Sequence, residues 1–135
     1  MRKPDKPLDV QKIIKNAINS ILEDDKVNNN VKAILLFGSH ADGTAIWRSD
    51  IDICVVFKKN LTDEQAFLFR RKILGFLPDV VDLQVFNVLP SKIKKSIAEN
   101  HQILFQTSYF DDPTFIRVNL ELSSEFEHKL QMLEA

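Results

Sequence analysis

The sequence predicts an α/β domain in which short apolar strands alternate with amphipathic helices. Two patterns carry this. Val31–Phe37, Asp50–Phe57 and Val80–Val88 are largely apolar over strand length. Around them, apolar residues recur at the three- and four-residue spacing of a helix face. The chain of 135 residues is long enough to bury a core and short enough to read as one domain, 1–135.

Composition narrows the classes. A net charge of −1 and a hydrophobic share of 44% exclude a disordered chain and give no sign of a strong nucleic-acid binder. Cys54 is the one cysteine, so no internal disulfide forms, which suits a reducing cytosol. There is no apolar run of about 18 residues and no signal peptide, and 1–7 is polar with Pro4 and Pro7. The expectation is a soluble cytoplasmic protein with no membrane partner.

In chain order, Val10, Ile13, Ile14, Ala17, Ile18, Ile21 and Leu22 share a helix face, with Asp9 as its N-cap. This N-terminal helix is placed at about 8–27 and ends in the Asp/Asn-rich run 24–30. A first strand, Val31–Phe37, stops at Gly38, and a short helix ending near Trp47 is expected before the strand Asp50–Phe57. Thr62 and Gln65 have capping-box spacing, opening a helix marked by Ala66, Phe69, Ile73 and Phe76. The strand Val80–Val88 puts Asp82 and Gln84 on one face and Val81, Leu83 and Val85 on the other. A short helix from Ser91 with Ile93 and Ile97, and an extended segment Ile103–Phe105, complete the core at about 31–105. A C-terminal helix is expected at about 112–134, started by Asp111 or Asp112 with Pro113. Its stripe of Phe115, Val118, Leu122, Phe126, Leu130 and Leu133 reads as core or as a partner surface.

Polar residues gather where the first strand ends and the second begins. Asp50 and Asp52, two apart, aim carboxylates to one side, and two like charges so close call for a cation. Hard oxygen ligands suit Mg²⁺, which leaves positions open to water and substrate phosphates. Gly38 lets backbone approach an anion, and Ser39 follows it. Asp82 is an acid within an apolar strand, costly unless paired or cation-bound. With two metal ions, the three acids could bind a nucleoside triphosphate and neutralise charge in a displacement at phosphorus; Asp82 would ligate metal or take a proton.

Gly38-Ser39, a ten-residue gap, Asp50-Ile51-Asp52 and the later Asp82 resemble the nucleotidyltransferases of the DNA polymerase β superfamily, in particular its minimal single-domain members. The resemblance implies a small mixed sheet flanked by helices. It places Gly38 and Ser39 at the triphosphate, Asp50 and Asp52 on both Mg²⁺ ions, and Asp82 on the catalytic one. It also implies ATP as donor and, for many minimal members, a role as antitoxin of a HEPN-type helical toxin, some moving AMP onto a toxin tyrosine. Binding without chemistry, or a small-molecule acceptor of the aminoglycoside kind with an oligomer, a dimer, completing the site, are the alternatives.

Other residues carry bland readings beside the sharp ones. His40 reads as a phosphate contact or a solvated loop residue, and Arg48 as a phosphate contact or a solvated charge. Trp47 reads as loop packing ahead of base stacking. His101 and His128 lack metal-ligand companions and read as surface or helix-end residues, Cys54 as a small buried apolar residue, and Lys92, Lys94 and Lys95 as a solvated face.

Overall fold

The computed structural model describes residues 9–46, 49–107, 110 and 115. Helix α1 (Val10–Leu22) starts where the Asp9 carboxylate accepts the Lys12 N–H at 3.1 Å, and it buries Ile13, Ile14, Ala17 and Ile21. It is shorter than the expected 8–27. Asp24 turns inward beyond it, accepting the Lys26 N–H at 2.9 Å and pairing with Lys72 Nζ at 3.1 Å, and this local hydrogen bonding competes with further helix.

Strand β1 (Val31–Phe37) is followed by the single-turn helix α2 (Ser39–Asp42) and strand β2 (Ile51–Phe57). Helix α3 (Asp63–Leu74) has the expected capping box: Gln65 N–H donates to Thr62 Oγ1 at 3.1 Å, and Thr62 N–H to Gln65 Oε1 at 2.9 Å. Ala66, Phe69 and Ile73 are buried as the periodicity requires. Phe76 is not on that face: it follows the helix end and is 70% exposed, while Leu77 turns into the core instead.

Strand β3 is Val81–Val85, shorter than Val80–Val88. Phe86–Val88 forms a 3-10 turn because the Asn87 side chain takes the place of a strand partner, accepting the Phe57 N–H at 2.9 Å and donating to the Phe57 carbonyl at 3.0 Å. Helix α4 (Ser91–Glu99) buries Ile97, but Ile93 is 43% exposed. Strand β4 (Gln102–Gln106) is the extended segment expected at Ile103–Phe105. The expected C-terminal helix lies outside the described residues, except that Phe115 is helical and buried.

The sheet is mixed, in the order β3-β2-β1-β4, with β1 antiparallel to β2 and β4, and β2 parallel to β3. A parallel pair needs a crossover, which α3 provides. One face of the sheet packs against α1 and α3; the other carries Ala33, Leu35, Cys54 and Val56 against Phe86, Ile97, Phe110 and Phe115. With Ile53, Cys54, Val55, Val56 and Phe57 all buried, β2 is covered on both sides. Each buried aliphatic side chain here contributes roughly 1.5–3 kcal/mol. A one-residue slip would turn that set over and carry Asp52 into the α1–α3 core, so packing fixes the register on which the site depends. Among the described residues no helix is long and apolar enough to cross a membrane.

Candidate active site

The site lies at the end of the sheet where β1 finishes and β2 and β3 both begin. Phe37 pairs with Asp52 across the antiparallel ladder, and Asp52 pairs directly with Asp82 across the parallel one. Alternation along β2 and β3 then sets Asp52 and Asp82 on the same side of the sheet, in line with Cys54 and Gln84. Asp50 is exposed and stands one residue before β2, so the strand is one residue shorter than expected.

Gly38 makes the turn from β1 into α2 with φ 72° and ψ −153°, a conformation that only glycine adopts readily. A Cβ at Gly38 would fall on Asp52 Oδ2 and within 3.2 Å of Asp52 Cγ. The sequence suggests a glycine that admits an anion; in the structure its bare Cα makes room for the Asp52 carboxylate. Ser39 opens α2, and its carbonyl accepts the N–H groups of Thr44 and Ala45, both at 3.1 Å. Gly43 closes the helix in the left-handed region at φ 82°.

Side chains hold this loop in place. Asp42 accepts the Thr44 N–H at 3.0 Å and its hydroxyl at 2.5 Å, and these bonds hold the Asp42 carboxyl below its usual pKa. His40 Nε2 donates to the Ser49 carbonyl at 3.3 Å, and Ser49 Oγ accepts the Ile46 N–H at 2.9 Å. Gln102 reaches from β4 to the Ala41 carbonyl at 3.0 Å. His40 thus ties α2 to the segment leading into Asp50, a role its sequence position did not announce. Trp47 and Arg48 lie outside the described residues, as does His128. His101 has a helix-end role: its Nδ1–H donates to the Ile97 carbonyl at 2.9 Å, and its ring lies 4.7 Å from that of Phe115.

Electrostatics mark the same place. Burial raises the Asp52 pKa, the carboxylates of Asp82 and Asp50 raise it further, and His40 opposes them. A carboxylate held against two like charges is a site where a cation would relieve repulsion, and an all-oxygen donor set suits Mg²⁺. Among the described residues, no three His, Cys, Asp or Glu side chains are gathered as a ready-made metal cluster. Asp52 and Asp82 are the adjacent pair, with Asp50 at the edge. Asp82 has a partner that the strand pattern gave no reason to single out: Gln84 Nε2 donates to its Oδ1 at 3.3 Å and its Oδ2 at 3.1 Å. Burial pushes the Cys54 thiol far above its usual pKa, which leaves it a packing residue rather than a nucleophile.

Two hollows, of about 340 and 270 Å³, lie by α3 around Asp24 and Lys72, on the face away from these carboxylates. They have no part in the chemistry described here.

The family described as polymerase beta, nucleotidyltransferase matches residues 16–110, which include all of β1 to β4 and every candidate site residue. This chain belongs to that family. The chain is 40% identical over 77 residues to a protein of Methanocaldococcus jannaschii that bears the name "Putative protein adenylyltransferase MJ1547". That match covers 57% of each chain, so it spans little more than half of the relative. A solved toxin–antitoxin structure with AMP-PNP is similar over 94% of both chains, with a TM-score of 0.62 and 25% identity. A structure of a tri-AMPylated Shewanella oneidensis HEPN toxin in complex with MNT antitoxin shares the fold, with a TM-score of 0.56 and 22% identity over 92% of this chain and 88% of that one.

Proposed function

We propose that this nucleotidyltransferase moves a nucleoside monophosphate, AMP from ATP, onto a hydroxyl of a partner protein, and that it serves as the antitoxin of a HEPN-type toxin. The observation that carries the chemistry is the pairing of Asp52 with Asp82 across β2 and β3, with Gly38 packed against Asp52. The reading of the acceptor draws on the likeness to the relative named for protein adenylyl transfer and to a toxin–antitoxin structure with AMP-PNP.

In this reading Asp50, Asp52 and Asp82 hold Mg²⁺, and the turn at Gly38 and Ser39 receives the triphosphate. Bound Mg²⁺ would neutralise phosphate charge and acidify the acceptor hydroxyl. The acceptor oxygen forms a bond to the α-phosphorus as the bond from that phosphorus to the bridging oxygen breaks, and pyrophosphate leaves with the electron pair. Asp82 takes the hydroxyl proton or passes it to water, and the Gly38 turn keeps Asp52 placed beside it.

The test is transfer of α-phosphate label from ATP to protein in a lysate of the source cell, with Mg²⁺, for wild type and Asp82→Asn. One labelled band, reduced at least ~10²-fold by the substitution, is expected. Mg²⁺·ATP binding with no labelled protein would sink protein adenylylation and leave neutralisation by binding alone or a small-molecule acceptor. Failure to bind nucleotide would overturn the enzymatic reading as a whole.

A further inference from the structure

We propose that Gln84 is the positioning residue for Asp82: its amide holds the carboxylate in the orientation that receives the metal. The inference rests on the nucleotidyl-transfer reading and extends it to a residue two positions along β3.

Three observations converge on Gln84. Its Nε2 lies within hydrogen-bond distance of both Asp82 oxygens, at 3.3 and 3.1 Å. It pairs across the parallel ladder with Cys54, which is fully buried, so it sits one step inward from the Asp52–Asp82 pair. Further along the chain, Phe86 belongs to the apolar cluster on that face, so Gln84 stands at the border between carboxylates and core. A polar side chain at such a border needs a partner, and among the described residues Asp82 is one.

The chemistry explains why an amide serves here. A carboxylate that ligates a cation through one oxygen is free to rotate unless the other is held, and residues that hold ligands in this way commonly tune metal affinity. A neutral N–H donor can do this without carrying positive charge. A lysine or arginine at the same place would pair with Asp82 and compete with the metal for it. An apolar residue would fill the space and leave the carboxylate unheld.

The test compares wild type, Gln84→Met, Gln84→Leu and Asp82→Asn by Mn²⁺ titration with electron paramagnetic resonance, in the presence of a non-hydrolysable ATP analogue. Gln84→Met and Gln84→Leu are expected to weaken Mn²⁺ binding by about 10-fold or more while melting within a few degrees of wild type. In turnover assays their Mg²⁺ requirement should move upward by a similar factor, with most of the rate restored at saturating Mg²⁺. A purely structural role would lower stability and leave metal affinity alone. If Asp82→Asn loses Mn²⁺ while both Gln84 variants keep wild-type affinity, the positioning role is wrong and the nucleotidyl-transfer reading stands. If wild type binds no Mn²⁺ with the analogue, both fall.

Discussion

Asp52 stands directly opposite Asp82 where β2 runs parallel to β3. The two strands join this end of the sheet through the α3 crossover, so the chain brings together two acids that lie 30 residues apart. Their proximity has a thermodynamic sign, because burial and the neighbouring carboxylates raise the Asp52 pKa above its ordinary value of 3.8.

A raised carboxyl pKa means that the folded chain holds its proton to higher pH than the unfolded chain does. Stability therefore falls as pH rises from about 3.8 through the folded-state pKa, and the full penalty persists at neutral pH. Asp52→Asn is expected to stabilise the metal-free protein at pH 7, by about 1 kcal/mol or less because Asp52 is partly solvated. The gain should disappear in acid, where wild-type Asp52 is itself protonated. Thermal melts across pH check this, and Mg²⁺·ATP should raise the melting temperature of wild type but much less that of the variant. A wild type as stable as Asp52→Asn at neutral pH would contradict the electrostatic account.

Gly38 and Gly43 both have positive φ, at 72° and 82°, but their surroundings differ. Alanine at Gly38 would meet both a glycine-only conformation, costing about 1–3 kcal/mol, and the Asp52 carboxylate. Label transfer should then fall by about 10²-fold, because Asp52 must move. Alanine at Gly43 meets nothing within 4 Å, so about 1–2 kcal/mol of stability should be lost and activity kept. Equal activity in the two variants would show that Gly38 acts on the backbone alone.

Asp24 is the one buried charged residue among those described, at 6% exposure, on the side of the sheet away from the catalytic candidates. Asp24→Ala removes the acceptor of the Lys26 N–H and the partner of Lys72, and should cost about 1–3 kcal/mol in denaturant unfolding. Label transfer at a temperature where the variant is folded should be unchanged. A large loss of activity there would link the α1–α3 face to the site.

Much of the fold was legible because it rests on local periodicity. The α1 face, the capping box at Thr62 and Gln65, and the apolar length of β1 and β2 are written in neighbouring residues. The misreadings fall at the ends of elements. Asn87 ends β3 early by bonding to Phe57, 30 residues away, and Phe76 leaves the α3 face because the helix has already ended. Asp24 turns inward just past α1, bonding the Lys26 N–H and reaching Lys72 on α3. Phe57 and Lys72, as partners of Asn87 and Asp24, are not visible from a short window.

For the candidate site, the order of residues along the chain sets out which groups are available: a glycine at the end of one strand, acids at the start of the next, and an acid out of place in a third. Strand periodicity was enough to say which faces they share. Which of them meet follows from how the strands pair. The order β3-β2-β1-β4 and the core packing that sets its register put Asp82 beside Asp52 and set Gly38 against the Asp52 carboxylate. The reason is physical: side-chain alternation is a local property of the backbone, whereas register is chosen by the burial of all the apolar side chains together.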